Sequence, residues 1–205
     1  MKTTDFEQYQ GLIFDMDGTL IDSMPAHLQT WRLTSGHFDF PYDKEWLHSM
    51  GGMPSHKITH EINQRYQLNL DPAQVQTFKT REFLNMDLEE IVTLIPCTYE
   101  LVEFFSGQKP MAVGTGSSTS TATRLLTQLG IIDRFETVVT ANDVVNHKPN
   151  PDTFLLAAKR INVEPSQCVV FEDTELGLQA AHAAGMDCVL VKDNQLSFHP
   201  VTQTA

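Results

Sequence analysis

Apolar residues fall along this chain in two patterns. Short continuous runs, at residues 11–16 (GLIFDM), 110–116 (PMAVGTG), 137–141 (TVVTA), 167–173 (QCVVFED) and 187–191 (DCVLV), predict buried strands. Between them lie segments of helical period. These are residues 98–106, 118–130 ended by Gly130, 151–161, and 175–185 closed by Gly185. Alternating strands and helices, with strands apolar on both sides, predict a parallel sheet covered on both faces. The first strand is cut off from the others by residues 23–92, which read as helix throughout. Asp22 or Ser23 caps a helix with Pro25 in its first turn, Ser55 caps 56–66, and Asp71-Pro72 opens a helix over 73–86. The expected architecture is a Rossmann-like, doubly wound parallel α/β core of residues 1–22 and 93–205. A helical cap domain, residues 23–92, is inserted into it. No internal repeat or low-complexity tract is present, and the tail after Asn194 reads as polar and loose.

Composition narrows the function. At 205 residues the chain can build one sizeable core plus a small accessory domain. A net charge of −12 repels nucleic acid and anionic lipid, so neither is an expected partner. It also requires that any phosphate handled here meet locally concentrated positive charge, from a metal or a few placed lysines. Three cysteines, Cys97, Cys168 and Cys188, with no C-x-x-C pair, argue against a disulfide framework. Cys168 and Cys188 sit in apolar runs and read as small core thiols. The N-terminal MKTTDFEQYQ lacks a signal peptide's apolar stretch, and no run approaches a membrane span. Cytoplasm and a monomer are the default expectations.

Ligands of open α/β sheets bind beyond the carboxyl ends of the strands. At those ends stand Asp15-Met16-Asp17-Gly18-Thr19, then Thr115-Gly116-Ser117, then a loop with Lys148-Pro149-Asn150-Pro151, then Glu172-Asp173. Taken singly each is ordinary: a solvated D-x-D turn, a helix start, a rigid loop, an acidic strand end. Asp22 reads as a helix cap. In order, each at a strand end, they converge on one edge. Asp15 and Asp17, two apart on an extended segment, would face the same way. Three or four carboxylates together predict a hard divalent cation, and Mg²⁺ suits oxygen ligands, waters and a phosphate oxygen. No Cys or His spacing suggests zinc.

Given a metal, Asp15 can attack phosphorus and form an aspartyl-phosphate. Asp17 can protonate the leaving oxygen and then activate water. Lys148 and the cation compensate charge. Gly18 removes a side chain where the backbone turns. The Thr115 hydroxyl and the N–H groups of Gly116 and Ser117 can bind phosphoryl oxygens.

F-D-M-D-G-T-L, V-G-T-G-S, H-K-P-N-P-D and V-F-E-D-T-E-L-G together resemble the haloacid dehalogenase (HAD-like) superfamily over essentially the whole chain. The sequence is similar to the β-phosphoglucomutase-like branch. It is most similar there to bacterial fructose-1-phosphate/6-phosphogluconate phosphatases, through L-I-F-D-M-D-G-T-L, P-M-A-V-G-T-G-S and D-T-F-L-L-A-A. The resemblance implies Asp15 as nucleophile and metal ligand, and Asp17 as general acid/base with its backbone carbonyl on the metal. It implies Thr115 and Lys148 as the second- and third-motif residues, and Asp173 as metal ligand with Glu172 nearby or acting through water. It also implies a central first strand and a mobile cap.

The mutase branch carries a cap arginine just after a glycine, which grips a second phosphate. Aligned through Gly52-Met53-Pro54, that place holds Ser55, with Lys57 two residues on. A serine cannot make an arginine's bidentate contact, which favours hydrolysis over phosphomutase activity. A second cap cation corresponds to Lys79 or Arg81. His27 falls where the mutases have a histidine, with Trp31 one turn later. The expected substrate is a small hydroxylated sugar phosphate such as fructose 1-phosphate or 6-phosphogluconate, met in the cap by Gly52, His27, Lys57 and Lys79. The alternatives are a β-phosphoglucomutase-like phosphomutase, a metal-independent dehalogenase, which Asp17 argues against, and a receiver-like signalling module, for which a cap has no use.

Overall fold

In a computed structural model, residues 1–51, 53–88 and 91–201 are described. In chain order the elements are β1 (Gly11–Phe14), β2 (Ile21–Asp22), α1 (Met24–Phe38), α2 (Lys44–Ser49), α3 (Ser55–Tyr66), α4 (Pro72–Asn85), β3 (Thr93–Leu94) and α5 (Pro96–Phe105). There follow β4 (Met111–Gly114), α6 (Thr119–Gln128), β5 (Thr137–Val139), α7 (Asp152–Arg160), β6 (Cys168–Glu172), α8 (Glu175–Ala183), β7 (Asp187–Lys192) and β8 (Gln195–His199). The chain forms two compact units, Met1–Asp22 with Thr93–Ala205, and Ser23–Val92.

The first unit is an α/β Rossmann-like fold on a six-stranded sheet of order β5-β4-β1-β6-β7-β8. The first four contacts are parallel and only β7–β8 is antiparallel. Every residue of β1, β4 and β6 is buried, which an apolar strand achieves only with both sheet faces covered. On one face Ile13, Ala112, Val170 and Cys188 pack with Phe154, Ala157 and Ala181 of α7 and α8. On the other, Phe14 stacks on Phe171 at 4.7 Å between ring centroids, and Phe6 meets Phe171 edge-on at 5.0 Å. From β1 the chain moves outward through β4 and β5, then crosses back to β6 on the other side of β1. This reversal opens a crevice at the carboxyl ends of β1 and β6, where α/β sheets take ligands.

Three strands escaped the reading of periodicity. β2 and β3 form a two-residue antiparallel ribbon, Ile21 opposite Leu94 and Asp22 opposite Thr93. Two residues are too short to show a period. The tail after Asn194 is not loose over residues 195–199: it is β8, which returns along β7 with Lys192 opposite Gln195. The two-residue turn between them, Asp193 and Asn194, has φ of 51° and 58°. Both residue types tolerate that left-handed conformation, which a tight hairpin turn requires. The Val201 N–H then donates to the Asp187 carboxylate at 2.8 Å.

The second unit is helical. Leu28, Trp31, Leu47, Ile58, Ile62 and Val75 form its core. Its helix starts differ in strength. The Asp71 carboxylate accepts the Ala73 N–H at 2.8 Å, with Pro72 as the first helical residue. Ser23 and Pro54 precede α1 and α3 without a side-chain cap, and Ser55 is itself the first residue of α3. Asp71→Ala should therefore cost about 1 kcal/mol. Urea unfolding should show a lower midpoint at unchanged slope. An unchanged midpoint would mean that this cap adds nothing to stability.

Candidate active site

β1 ends at Phe14, and the next six residues form a tight loop rather than more strand. The N–H groups of Leu20 and Ile21 both donate to the Met16 carbonyl, at 3.0 and 2.9 Å, and the Gly18 N–H donates to the Ile21 carbonyl at 2.8 Å. Asp15 and Asp17 therefore stand on a turn rather than on a continuing strand, and they meet different partners. Asp15 is buried and accepts from Lys148 Nζ at 2.6 Å. The Asp17 carboxylate accepts from the Ser117 hydroxyl at 2.7 Å.

Lys148 links two strand ends. Its ammonium donates to Asp15 Oδ1 and, at 2.7 Å, to Glu172 Oε1, and it lies 4.6 Å from the Phe154 ring centroid. The Lys148–Pro149 peptide bond is cis. Glu172 is fixed from its other oxygen as well. Oε2 accepts the Thr174 N–H at 2.7 Å and the Thr174 hydroxyl at 2.8 Å. Thr174 also caps α8, its hydroxyl accepting the Gly177 N–H at 3.0 Å. A Cβ at Gly177 would fall 1.9 Å from the Glu172 carboxyl carbon, so the glycine makes room for this carboxylate. Gly18 does the same for Asp173: its φ is +88°, and a Cβ would fall 2.2 Å from Asp173 Oδ2. Thr115, buried after β4, accepts the Ser117 N–H on its hydroxyl at 3.0 Å.

Oxygens of Asp15, Glu172 and Asp173 lie within 4.8 Å of one another. Among the described residues these three carboxylates face one ammonium, that of Lys148, and the electrostatics record the imbalance. Burial pushes the Asp15 carboxyl well above its usual range, against the pull of Lys148 and with the push of Glu172, Asp173 and Asp17. Burial and the Glu172 charge raise Asp173 to about 7, although Lys148 acts to lower it. Burial acts to lower the Lys148 ammonium too, but Asp15 and Glu172 outweigh it and hold the lysine protonated. Hard oxygen donors, gathered and under-compensated, suit a divalent cation. The acidic group could hold a metal.

The helical unit holds a separate set. Lys79 is almost wholly buried, its ammonium 3.4 Å from His27 Nδ1 and 5.3 Å from the Trp31 ring centroid. His27 stacks on Phe83 at 4.8 Å. Arg81, the other reading of the second cap cation, instead pairs with Glu82 at 2.8 Å and lies over Phe78. Lys57 is exposed on α3. Gly52 lies outside the described residues.

Sequence reasoning passed over Thr174, Gly177 and Thr98. A threonine just before a helix is a cap signal, and a glycine within a helical pattern points to a close packing contact, so the first two were open to detection. Thr98, buried on α5 with its hydroxyl donating to the Thr19 carbonyl at 2.6 Å, carries no such signal.

The family described as haloacid dehalogenase-like hydrolase matches residues 12–191. The chain is 46% identical over 187 residues to the fructose-1-phosphate phosphatase YqaB of Escherichia coli (strain K12), covering 91% of this chain and 98% of that one. It is 28% identical over 193 residues to the β-phosphoglucomutase of Bacillus subtilis (strain 168), covering 91% and 84%. The crystal structure of β-phosphoglucomutase from Clostridium difficile superposes with a TM-score of 0.78 at 25% identity, covering 90% of this chain and 85% of that one.

Proposed function

From the premise that the chain belongs to the haloacid dehalogenase-like hydrolase family, we propose that it is a Mg²⁺-dependent phosphatase of a small sugar phosphate, with Asp15 as nucleophile. The observation that carries the reading is Lys148 bridging Asp15 and Glu172 beside Asp173 at the crevice between β1 and β6. The similarity to a fructose-1-phosphate phosphatase supports fructose 1-phosphate as the first substrate to try, with 6-phosphogluconate next.

In this reading Asp15, Asp173 and the Asp17 carbonyl would hold the cation, with Glu172 alongside. The bound cation supplies positive charge to the phosphoryl oxygens. Every other part belongs to the chain. An oxygen of Asp15 attacks phosphorus while the bond from phosphorus to the sugar oxygen breaks. Asp17 gives its proton to that departing oxygen, and Ser117, which holds the Asp17 carboxylate at 2.7 Å, orients the donor. The Thr115 hydroxyl accepts the Ser117 N–H, which leaves its own proton, with the Gly116 N–H, to donate to a phosphoryl oxygen. Lys148 holds the carboxylate in place for attack and compensates the charge that collects there. Asp17, now ionised, takes a proton from water. The water oxygen attacks phosphorus, the bond to Asp15 breaks, and phosphate leaves. His27 and Lys79 are proposed to meet the sugar hydroxyls from the helical cap domain.

Similarity to β-phosphoglucomutases favours one other reading, a phosphomutase. One experiment separates the two. Phosphate release should be measured across sugar phosphates, with Mg²⁺ and with EDTA. The proposal expects release with Mg²⁺, loss of release with EDTA, and recovery on adding Mg²⁺ back. Release that persists undiminished in EDTA would remove the metal from the account. Isomerised sugar phosphate without free phosphate would make the chain a mutase.

A further inference from the structure

We propose that Thr19 is a positioning residue for Asp173, and through it for the divalent cation, and that Thr98 on α5 holds Thr19 in place. The inference rests on the phosphatase reading of the site. Asp15 and Glu172 are each fixed by Lys148, and Glu172 again by Thr174. Asp173 is fixed differently. Its carboxylate lies against the turn that follows β1. One oxygen faces the space where Gly18 has no side chain, and the other accepts the Thr19 hydroxyl at 3.3 Å. Thr19 has no exposure to solvent, so water cannot replace that hydroxyl if it is removed.

The turn is held from behind. The Thr98 hydroxyl, also fully buried, donates to the Thr19 carbonyl at 2.6 Å. It also lies 3.1 Å from the Ile95 carbonyl. The Ile95 N–H donates to the Leu20 carbonyl at 2.9 Å. A relay therefore runs from the first turn of α5, through the Thr19 backbone and hydroxyl, to one carboxylate of the acidic cluster. Its physical role follows from the charge imbalance there. Asp173, pressed towards other carboxylates, gains by rotating away. A fixed donor on one oxygen keeps the carboxylate from turning away from the cation. Groups that orient ligating carboxylates in this way commonly govern metal affinity.

The test is a titration of the full chain with Mn²⁺, a paramagnetic stand-in for Mg²⁺, reading free Mn²⁺ by electron paramagnetic resonance without substrate. Thr19→Val keeps the shape and removes the hydroxyl. It should raise the Mn²⁺ Kd about tenfold or more, while Thr19→Ser should stay close to wild type. Thr98→Val should shift the Kd in the same direction. A folded Thr19→Val with the wild-type Kd would overturn the proposal. If Thr19→Val does not fold, Thr98→Val decides, and an unchanged Kd there overturns it too. Asp173→Asn separates this failure from failure of the underlying reading. If wild type does not bind Mn²⁺, or binds it no better than Asp173→Asn, the site is not a cation site and both ideas fall.

Discussion

Asp15→Asn should abolish phosphate release, by a factor on the order of 10⁵, while leaving the fold intact. The amide is nearly isosteric with the carboxylate but is not an anionic nucleophile, so no covalent intermediate can form. Stability should not fall with activity. Breaking a buried ion pair usually costs about 3–5 kcal/mol, because a charge is left unpaired. Here Lys148 keeps Glu172 at 2.7 Å when Asp15 is lost. Asp15 itself is strained by burial and by three neighbouring acids, and neutralising it relieves that strain. The metal-free variant should melt at or above the wild-type temperature. Retained release would refute Asp15 as nucleophile, and a large drop in melting temperature would refute the charge accounting.

Gly177→Ala should be the most damaging substitution of a residue that touches no substrate. The added Cβ would lie 1.9 Å from the Glu172 carboxyl carbon and 2.0 Å from Oε1. A flexible side chain could swing aside, but Glu172 is buried and held by Lys148 and both donors of Thr174. Yielding breaks those contacts together, which places the loss of stability at about 3 kcal/mol or more. Turnover should fall by roughly 10- to 100-fold, as when the supports of a metal site are removed. Gly36 provides the contrast. It lies in α1 with nothing within 4 Å of its added Cβ. Gly36→Ala should stabilise by about 0.5–1 kcal/mol, the ordinary gain of alanine over glycine in a helix. Thermal melts and kcat/KM of the two variants check both statements. A Gly177→Ala variant with wild-type values would mean that Glu172 is not fixed where its hydrogen bonds place it.

The acidic clusters were legible in the sequence because each stands at the end of an apolar run, and such runs mark strand ends without any knowledge of packing. Asp15, Glu172 and Asp173 meet because β1 and β6 are neighbours, which a doubly wound order requires, and the loop after β5 brings Lys148 to them. What periodicity could not convey was local backbone path. The segment from Asp15 to Asp17 was expected to be extended, but β1 stops at Phe14 and the chain turns around the Met16 carbonyl, with Asp17 bonded to Ser117. The β7–β8 hairpin was hidden because Asp193-Asn194 reads equally well as the start of a polar tail. Thr98 could not be found at all, since its meaning lies in a contact 79 residues away in the chain.

If Asp15 is the nucleophile, phosphorus is bonded to one of its carboxylate oxygens during turnover. The direct measurement is to mix the enzyme with fructose 1-phosphate, or the best substrate of the panel, for a few milliseconds, quench, and treat the denatured chain with borohydride. Reduction of an aspartyl-phosphate leaves homoserine, which peptide mass spectrometry can place. Homoserine is expected at position 15, and is expected to be absent without substrate. Homoserine at another aspartate, or none at position 15 while phosphate is released at the full rate, would contradict this role of Asp15.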